Sequence, residues 1–410
     1  MLQFKNLLNR INLIYPICGY LLLVVLLVFF KIKFYNYNLS SLIGIWKGFS
    51  SLNPDLIEKN FIIFTEGGYD GQFFYLIAKS LYTSGLESFP VLDSFYLRFN
   101  RIGLPILSGM ISKLFGFSNY SFITLSVLTL THIYSFILLF KMLTSHNKLL
   151  SYFYLFSPFA LNSNLLLVSD SLFVSFSIFC IYFIRYFGVN IFNRKSIEVK
   201  NGFIIFILFF LILLFTILVK ESGLIVLASL FLILIYDRKK QIAIPIFFAI
   251  ITYLISVQIF RYRIVTHPGT NPLGFLELID YPFFGFYKSI QFSSISDIKS
   301  LSKEFAKFPV FLYYLTLILN LKNIKTIRDI LIFIPILFIL FTAGIGEQGY
   351  WLSFDNISRM FSVSIPWIIL LKNENEKYYD YYSLRISILI LLLLIIRMVY
   401  IKTTMNFFIY

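Results

Sequence analysis

The residues with chemistry to offer are few and lie far apart in the chain. Asp70 stands in Glu66-Gly67-Gly68-Tyr69-Asp70-Gly71-Gln72-Phe73-Phe74-Tyr75-Leu76-Ile77-Ala78. Paired glycines permit a turn with positive φ ahead of the aspartate. Gln72 to Ala78 reads as the start of an apolar helix lying on or in the membrane surface. Asp70 then sits at or just before a helix N-terminus, where exposed amides and the dipole favour a carboxylate. Two readings stay open: a plain N-cap, or a carboxylate held beside the bilayer to take a proton or orient an acceptor hydroxyl. Tyr69 and Gln72 flank it as candidate substrate contacts. Arg98 and Arg101, in Tyr96-Leu97-Arg98-Phe99-Asn100-Arg101-Ile102-Gly103-Leu104-Pro105, either anchor helix ends by snorkelling or recognise a phosphate or carboxylate.

Further along, Ser169-Asp170-Ser171 opens an apolar run, and Asp170 is either part of a helix cap or a site acid. Lys220-Glu221 is either a self-satisfied ion pair or a cation facing a lipid phosphate. His267 lies in the turn-rich Thr266-His267-Pro268-Gly269-Thr270-Asn271-Pro272, where a lone histidine is either solvated or a ligand contact. Arg359, in Asp355-Asn356-Ile357-Ser358-Arg359, falls in a first helical turn that the dipole disfavours for a cation. It calls for an anionic partner, with Glu347 and Asp355 the nearest in sequence. His132 and His146 do not cluster with His267. Cys18 and Cys180 sit inside apolar runs and offer neither metal spacing nor a disulfide framework. Walker, dinucleotide-loop and zinc signatures are absent, and no cofactor or metal is expected.

The elements that must position these residues are membrane helices. Of 410 residues, 59% are hydrophobic and 13% charged, against about 45–50% and 25% in a soluble domain. That excludes a water-soluble globular fold, a disordered chain and a disulfide scaffold. The reading is an all-α, polytopic bundle forming a single transmembrane domain over 1–410. About eleven spans are expected: 12–30, 119–141, 149–168, 171–187, 203–219, 222–236, 241–260, 308–321, 330–345, 357–371 and 386–401. An apolar half-span, 102–117, precedes the second. A long first outer loop covers about 32–118 and carries membrane-surface helices; a second covers about 261–307. Residues 202–236 would make a helix of about 52 Å at 1.5 Å per residue, too long for a roughly 30 Å core. A tight hairpin at Lys220-Glu221 keeps that charged pair out of hydrocarbon, where each charge costs about 2.5–3.5 kcal/mol.

The formal net charge is +15. With the N-terminus in the cytoplasm, the inner connections at 141–148, 185–200, 237–240, 322–329 and 372–385 carry the excess Lys and Arg, or an even balance at the last. Basic residues spread over helix ends, not gathered in one patch, also argue against nucleic-acid binding. The candidates named above then fall on the outer side.

Gly67 to Ala78 resembles the first-loop motif of bacterial multi-pass glycosyltransferases of the GT-C type, including the family tied to cell-surface glycopolymer formation, and is similar to the first luminal loop of the GPI-anchor mannosyltransferases. Arg101-Ile102-Gly103-Leu104-Pro105 is similar to the arginine-plus-proline segment that follows, and Ser169 to Phe173, Lys220 to Gly223 and Ser358-Arg359 fit the later pattern. The resemblance implies a GT-C-like fold in a bacterial inner membrane and a polyprenyl-phosphate sugar donor used at the outer face. It also implies inverting transfer to a glycan or lipid acceptor, with Asp70 as general base or acceptor orienter. Lys220, Arg101, Arg98 and Arg359 are then candidates for the donor phosphate. Some relatives carry a second acid close to the aspartate, and Glu66 is the nearest here. Divalent metal assistance stays open. A lipid flippase or transporter, a noncatalytic assembly subunit and a surface-polymer ligase or polymerase are the competing readings.

Overall fold

The computed structural model describes residues 13–83, 89–185, 199–263, 279–290, 298–374, 381–401 and 405–410. Helices dominate it. Six segments are long and apolar enough to cross a membrane: Ile14–Tyr35, Phe117–Met142, Lys240–Val257, Leu301–Asn323, Ile327–Ile345 and Tyr382–Tyr400. Four shorter apolar helices accompany them, Gly103–Phe115, Asp170–Phe183, Ile204–Val219 and Gly223–Tyr236. By length and composition, the chain is a membrane protein with transmembrane helices. Leu22, Val25, Phe248 and Leu392 point outward from their helices, as lipid-facing residues do.

Two compact units divide the chain, each assembled from separated stretches. The first takes Met1–Val28, His132–Asn162 and Leu276–Lys402; the second takes Phe29–Thr131, Ser163–Phe275 and Thr403–Tyr410. Helix α1 (Ile14–Ile32) is the expected first span. In the second unit, β1 (Ile45–Trp46), α2 (Lys47–Leu52) and β2 (Ile62–Phe64) lead to α3 (Gly71–Thr83), α4 (Phe95–Phe99), α5 (Gly103–Phe115) and α6 (Tyr120–Met142), whose later half belongs to the first unit. After α7 (Ser151–Leu155) and α8 (Pro158–Leu165) come α9 (Asp170–Phe183), α10 (Val199–Val219), α11 (Gly223–Tyr236) and α12 (Lys240–Arg263). The hairpin expected at Lys220-Glu221 is there: α10 stops at Val219 and α11 starts at Gly223. Leu213, Ile217, Leu227, Ile246 and Tyr253 close the core of α10, α11 and α12.

Three features depart from the sequence reading. The stretch 149–168 is not one span, because α7 ends at Leu155 and Pro158 opens α8. Proline has no N–H to continue a helix and is at home in a first turn. The stretch 357–371 breaks likewise, into α18 (Phe354–Met360), a 3₁₀ turn at Phe361–Val363 and α19 (Ser364–Glu374), with Pro366 in the first turn of α19. Helix α3 leaves no apolar face open at its start: Gln72 to Ala78 are all buried, in part by α5 packed against it. A run that is apolar on every side is covered by protein on every side.

The first unit also holds α13 (Phe284–Ser289), α14 (Ile298–Phe305), α15 (Lys307–Leu319), α16 (Ile327–Ile345), α17 (Gln348–Trp351) and α20 (Tyr381–Ile396). Phe286 and Phe311 stack at 4.1 Å against Trp351 in its core. The second unit adds a small sheet that no sequence pattern announces. Strand β1 runs parallel to β2, and β3 (Phe407–Ile409) pairs antiparallel with the other side of β2. The connection at 185–200 and the second long loop at 261–307 lie mostly outside the described residues.

Candidate functional site

The second unit brings eight of the sequence candidates together: Tyr69, Asp70, Gln72, Arg98, Arg101, Asp170, Lys220 and Glu221. Two glycines show how. A Cβ on Gly71 would lie 2.7 Å from the Leu166 carbonyl and 2.8 Å from that of Ile43. The chain at Asp70 is therefore pressed against the α8–α9 corner. A Cβ on Gly103 would lie 2.7 Å from the Val219 backbone nitrogen. The start of α5 thus touches the end of α10, which carries Arg101 to Glu221.

Asp70 immediately precedes α3, and Gly67 takes the positive φ (120°) expected before it. Its Oδ1 accepts from Arg98 Nη2 at 3.1 Å. Arg98 also donates from Nε to Asp93 Oδ1 at 2.9 Å and from Nη2 to Asp93 Oδ2 at 2.6 Å. Its guanidinium lies 4.1 Å over the Phe73 ring. The Arg98 side chain is 7% exposed, against 27% for Asp70, so Arg98 is a buried clamp on two carboxylates and not a snorkelling anchor. Burial pushes the guanidinium pKa down, but Asp70 and Asp93 more than offset this and raise it.

Arg101 is paired too. It grips Glu221 with two donors, Nε to Oε2 at 2.8 Å and Nη2 to Oε1. Burial works against this charge, while Glu221, Asp170 and Asp70 raise its pKa above the ordinary guanidinium value. Burial likewise pushes the Glu221 carboxyl up, and Arg101 and Lys220 override it and hold the group below the usual carboxylate range. Lys220 donates to Asp170 Oδ1 at 2.6 Å. The adjacent Lys220 and Glu221 are thus not paired in isolation: each reaches a different part of the chain. Ser169 at the α9 N-cap makes no side-chain cap bond, and Asp170 lies inside the helix as its first residue. The α8–α9 corner is set by Leu167 at φ 51° and by the bond from Val168 N to Ser163 O, the αL residue and 6→1 bond of a Schellman turn.

Tyr69 and Gln72 frame the aspartate. Tyr69 donates from N to Gly44 O at 2.9 Å and from its hydroxyl to Met405 Sδ at 3.7 Å. Gln72 is buried and accepts from Trp46 N at 3.0 Å, so it ties α3 to β1. Glu66 is exposed and takes Asn406 Nδ2 at 3.0 Å. It does not share the aspartate's arginine.

Two residues of this cluster carry no signal in the sequence. Asp93 is the second acid beside Asp70. Its separation of five from Arg98 matches no helical contact spacing, so nothing local marks it. Lys31 is buried at the end of α1, donates to the Leu165 carbonyl that ends α8, and lies 5.1 Å from the Tyr69 ring centroid. A lysine closing an apolar run reads in sequence as a membrane-edge anchor.

Arg359 belongs to the first unit. Its Nε donates to the Asp355 backbone oxygen at 2.9 Å and Nη2 to Asn356 Oδ1 at 3.3 Å. The Asp355 carboxylate is gripped by Arg397, with 2.7 Å from Nη2 to Oδ2 and a shorter contact from Nη1. Arg397 opens a π-helical turn, Arg397–Ile401, and falls inside the last expected span. A charge inside a span demands a partner, so a signal for it does exist. His267 lies outside the described residues.

Among the described residues no three His, Cys, Asp or Glu converge to hold a metal. A cavity of about 300 Å³ in the first unit, lined by Tyr152, Phe153, Phe156, Ser387, Ile388 and Leu391, carries no charged group. No family model, curated protein or solved structure matches the chain.

Proposed function

We propose that this protein is an integral membrane glycosyltransferase of the GT-C type. In this reading it moves a sugar from a polyprenyl-phosphate donor to a glycan or lipid acceptor of the cell envelope. The chemistry occurs at the outer face of a bacterial inner membrane, with the N-terminus cytoplasmic and configuration inverted. The observation that carries the reading is the convergence of Asp70, Arg98, Arg101, Asp170, Lys220 and Glu221. Segments far apart in the chain deliver them to one network at helix ends and turns, not at the middle of spans.

Asp70 takes the proton of the acceptor hydroxyl, or orients that hydroxyl, as it attacks the anomeric carbon. Arg98 holds the carboxylate in place and Asp93 holds Arg98. The donor phosphate leaves as an anion and needs a cation, for which Lys220 and Arg101 are the candidates. Both are neutralised by Asp170 and Glu221, so a phosphate engages them by displacing a carboxylate. No cofactor enters this scheme.

The test is transfer from a polyprenyl-phosphate sugar by purified protein in lipid. Asp70→Asn should accumulate normally and lose about two to four orders of magnitude in transfer, the usual worth of general-base help. Near-parent transfer by Asp70→Asn would remove the catalytic assignment. A polymer ligase or polymerase would use the same network and be separated by its products.

A second reading, a lipid flippase or transporter, draws on the broken helices. Such proteins build their sites from interrupted spans. Here α8 and α18 meet through Asn162 Nδ2 and Ser358 Oγ at 2.9 Å, and Asn162 Oδ1 is buried without a partner. Scrambling of a labelled polyprenyl phosphate across vesicles, with no sugar transfer, would favour it.

A further inference from the structure

The loop that presents Asp70 is built on both sides. On one side stands β1: Tyr69 N bonds to Gly44 O, and Trp46 Nε1 to Thr65 O at 3.3 Å. On the other stands the far end of the chain. Thr65 donates from N and Oγ1 to Asn406 O at 3.0 and 3.2 Å, and Asn406 Nδ2 reaches Glu66. Met405 Sδ takes the Tyr69 hydroxyl, and Met405 Cε lies 4.0 Å from where a Gly67 Cβ would stand. Below this, Ile62, Ile63 and Phe64 pair with Ile409, Phe408 and Phe407. The ladder is closed by Tyr410 N to Phe61 O and Asn60 N to Tyr410 O, both 2.9 Å. Tyr35, fully buried, packs between Phe64 and Phe407.

We propose that residues 405–410 are a positioning element of the Asp70 site, and that they lie on the same face of the membrane as the first loop. Without β3 the sheet shrinks to a two-stranded pairing of two residues each, which is marginal in water. Thr65, Glu66 and Tyr69 then lose the contacts that fix the loop feeding Asp70 into α3. Direct pairing of β2 with β3 also means that the chain between them crosses the membrane an even number of times. That constraint comes from hydrogen bonds and is independent of the Lys and Arg distribution. The effect on turnover rests on the proposed function; the pairing and the sidedness do not.

The experiment has three arms in a background with Cys18→Ser and Cys180→Ala. Ile62 and Ile409 are directly opposite. The bonds at Thr65–Asn406 and Phe61–Tyr410 make 62–409 a non-hydrogen-bonded pair, the closer kind. Ile62→Cys with Ile409→Cys should form an intramolecular disulfide in membranes on mild oxidation. Glu66→Cys and Tyr410→Cys should label from the same side with an impermeant reagent. Phe408→Pro removes a ladder N–H while changing an exposed side chain. It should speed labelling of Ile62→Cys, which is fully buried in the parent, about tenfold, the scale of one or two hydrogen bonds. It should also lower kcat for sugar transfer by a similar factor, with the donor KM unchanged. Absence of the disulfide, labelling from opposite faces, or an unchanged labelling rate in Phe408→Pro would each overturn the proposal. A protein that transfers no sugar yet passes the cross-linking and labelling arms would overturn the glycosyltransferase reading and leave the strand pairing standing.

Discussion

The two units each hold an arginine gripping an aspartate with a guanidinium fork, yet the surroundings differ. In the second unit Arg98 serves Asp70 and Asp93 together, and Arg101 feels Glu221, Asp170 and Asp70 at once. In the first unit Arg397 serves Asp355, from a less buried position: 26% of its side chain is exposed, against 7% for Arg98. Charges that share partners cannot be removed one at a time without stranding another, and the Arg397 charge, inside an apolar span, needs Asp355 as well. The second unit's network is therefore expected to lose more per charge removed than the first unit's pair.

The strongest way to break this comparison is Arg98→Ala. It removes the guanidinium that two partly exposed carboxylates share and is expected to cost about 2–3 kcal/mol, between the worth of a surface pair and that of a fully buried one, read as the unfolding midpoint in detergent. Arg397→Ala should cost less on the same measurement, about 1–3 kcal/mol, because Asp355 loses its guanidinium fork. Equal losses would erase the distinction.

Next in size is Glu221→Gln, expected to cost about 2 kcal/mol because Arg101 stays charged and loses its counter-ion. Replacing both, Arg101→Met with Glu221→Leu, should recover most of that stability, since apolar side chains of similar volume often replace buried pairs without loss. A double variant no better than Glu221→Gln alone would mean that the pair itself is required.

Non-additivity sharpens the contrast. Asp70→Asn and Glu221→Gln both act on Arg101, and their combined cost should depart from the sum by roughly 0.5–1 kcal/mol. Asp355→Asn combined with Glu221→Gln should be additive. Simple additivity in the first combination would show that the network is a set of independent pairs.

The pH dependence follows from Glu221. Its folded pKa lies below the ordinary carboxylate value of about 4.3. The stability it adds is present above that value and is lost as pH falls through the depressed folded pKa. Glu221→Gln should flatten that acid limb of the unfolding curve. Smallest of all is Glu66→Gln, expected within about 0.5 kcal/mol because the residue is exposed and its contact is a single amide bond.

Much of the fold is legible in the amino-acid sequence. The apolar runs mark α1, α6, α12 and α16, because about 20 apolar residues in a row have no other stable use. The Lys220-Glu221 break follows from the same arithmetic. Asp70 beside a helix start, and a positive φ at Gly67, follow from glycine's missing Cβ. The breaks before α8 and α19 are less legible, because a proline also sits inside α12 and α16 without ending either helix.

What the sequence by itself determined, then, is where the helices run and which charged residues had to find partners. Hydrophobicity and backbone chemistry are local, and local patterns carry them. Who pairs with whom was decided only in three dimensions. Arg101 meets Glu221 because Gly103 lets α5 touch the end of α10. Asp93 joins Asp70 because both face one buried guanidinium, and β3 finds β2 across nearly the whole chain. An ion pair or a strand pairing needs only a short distance in space, and sequence separation places no bound on that.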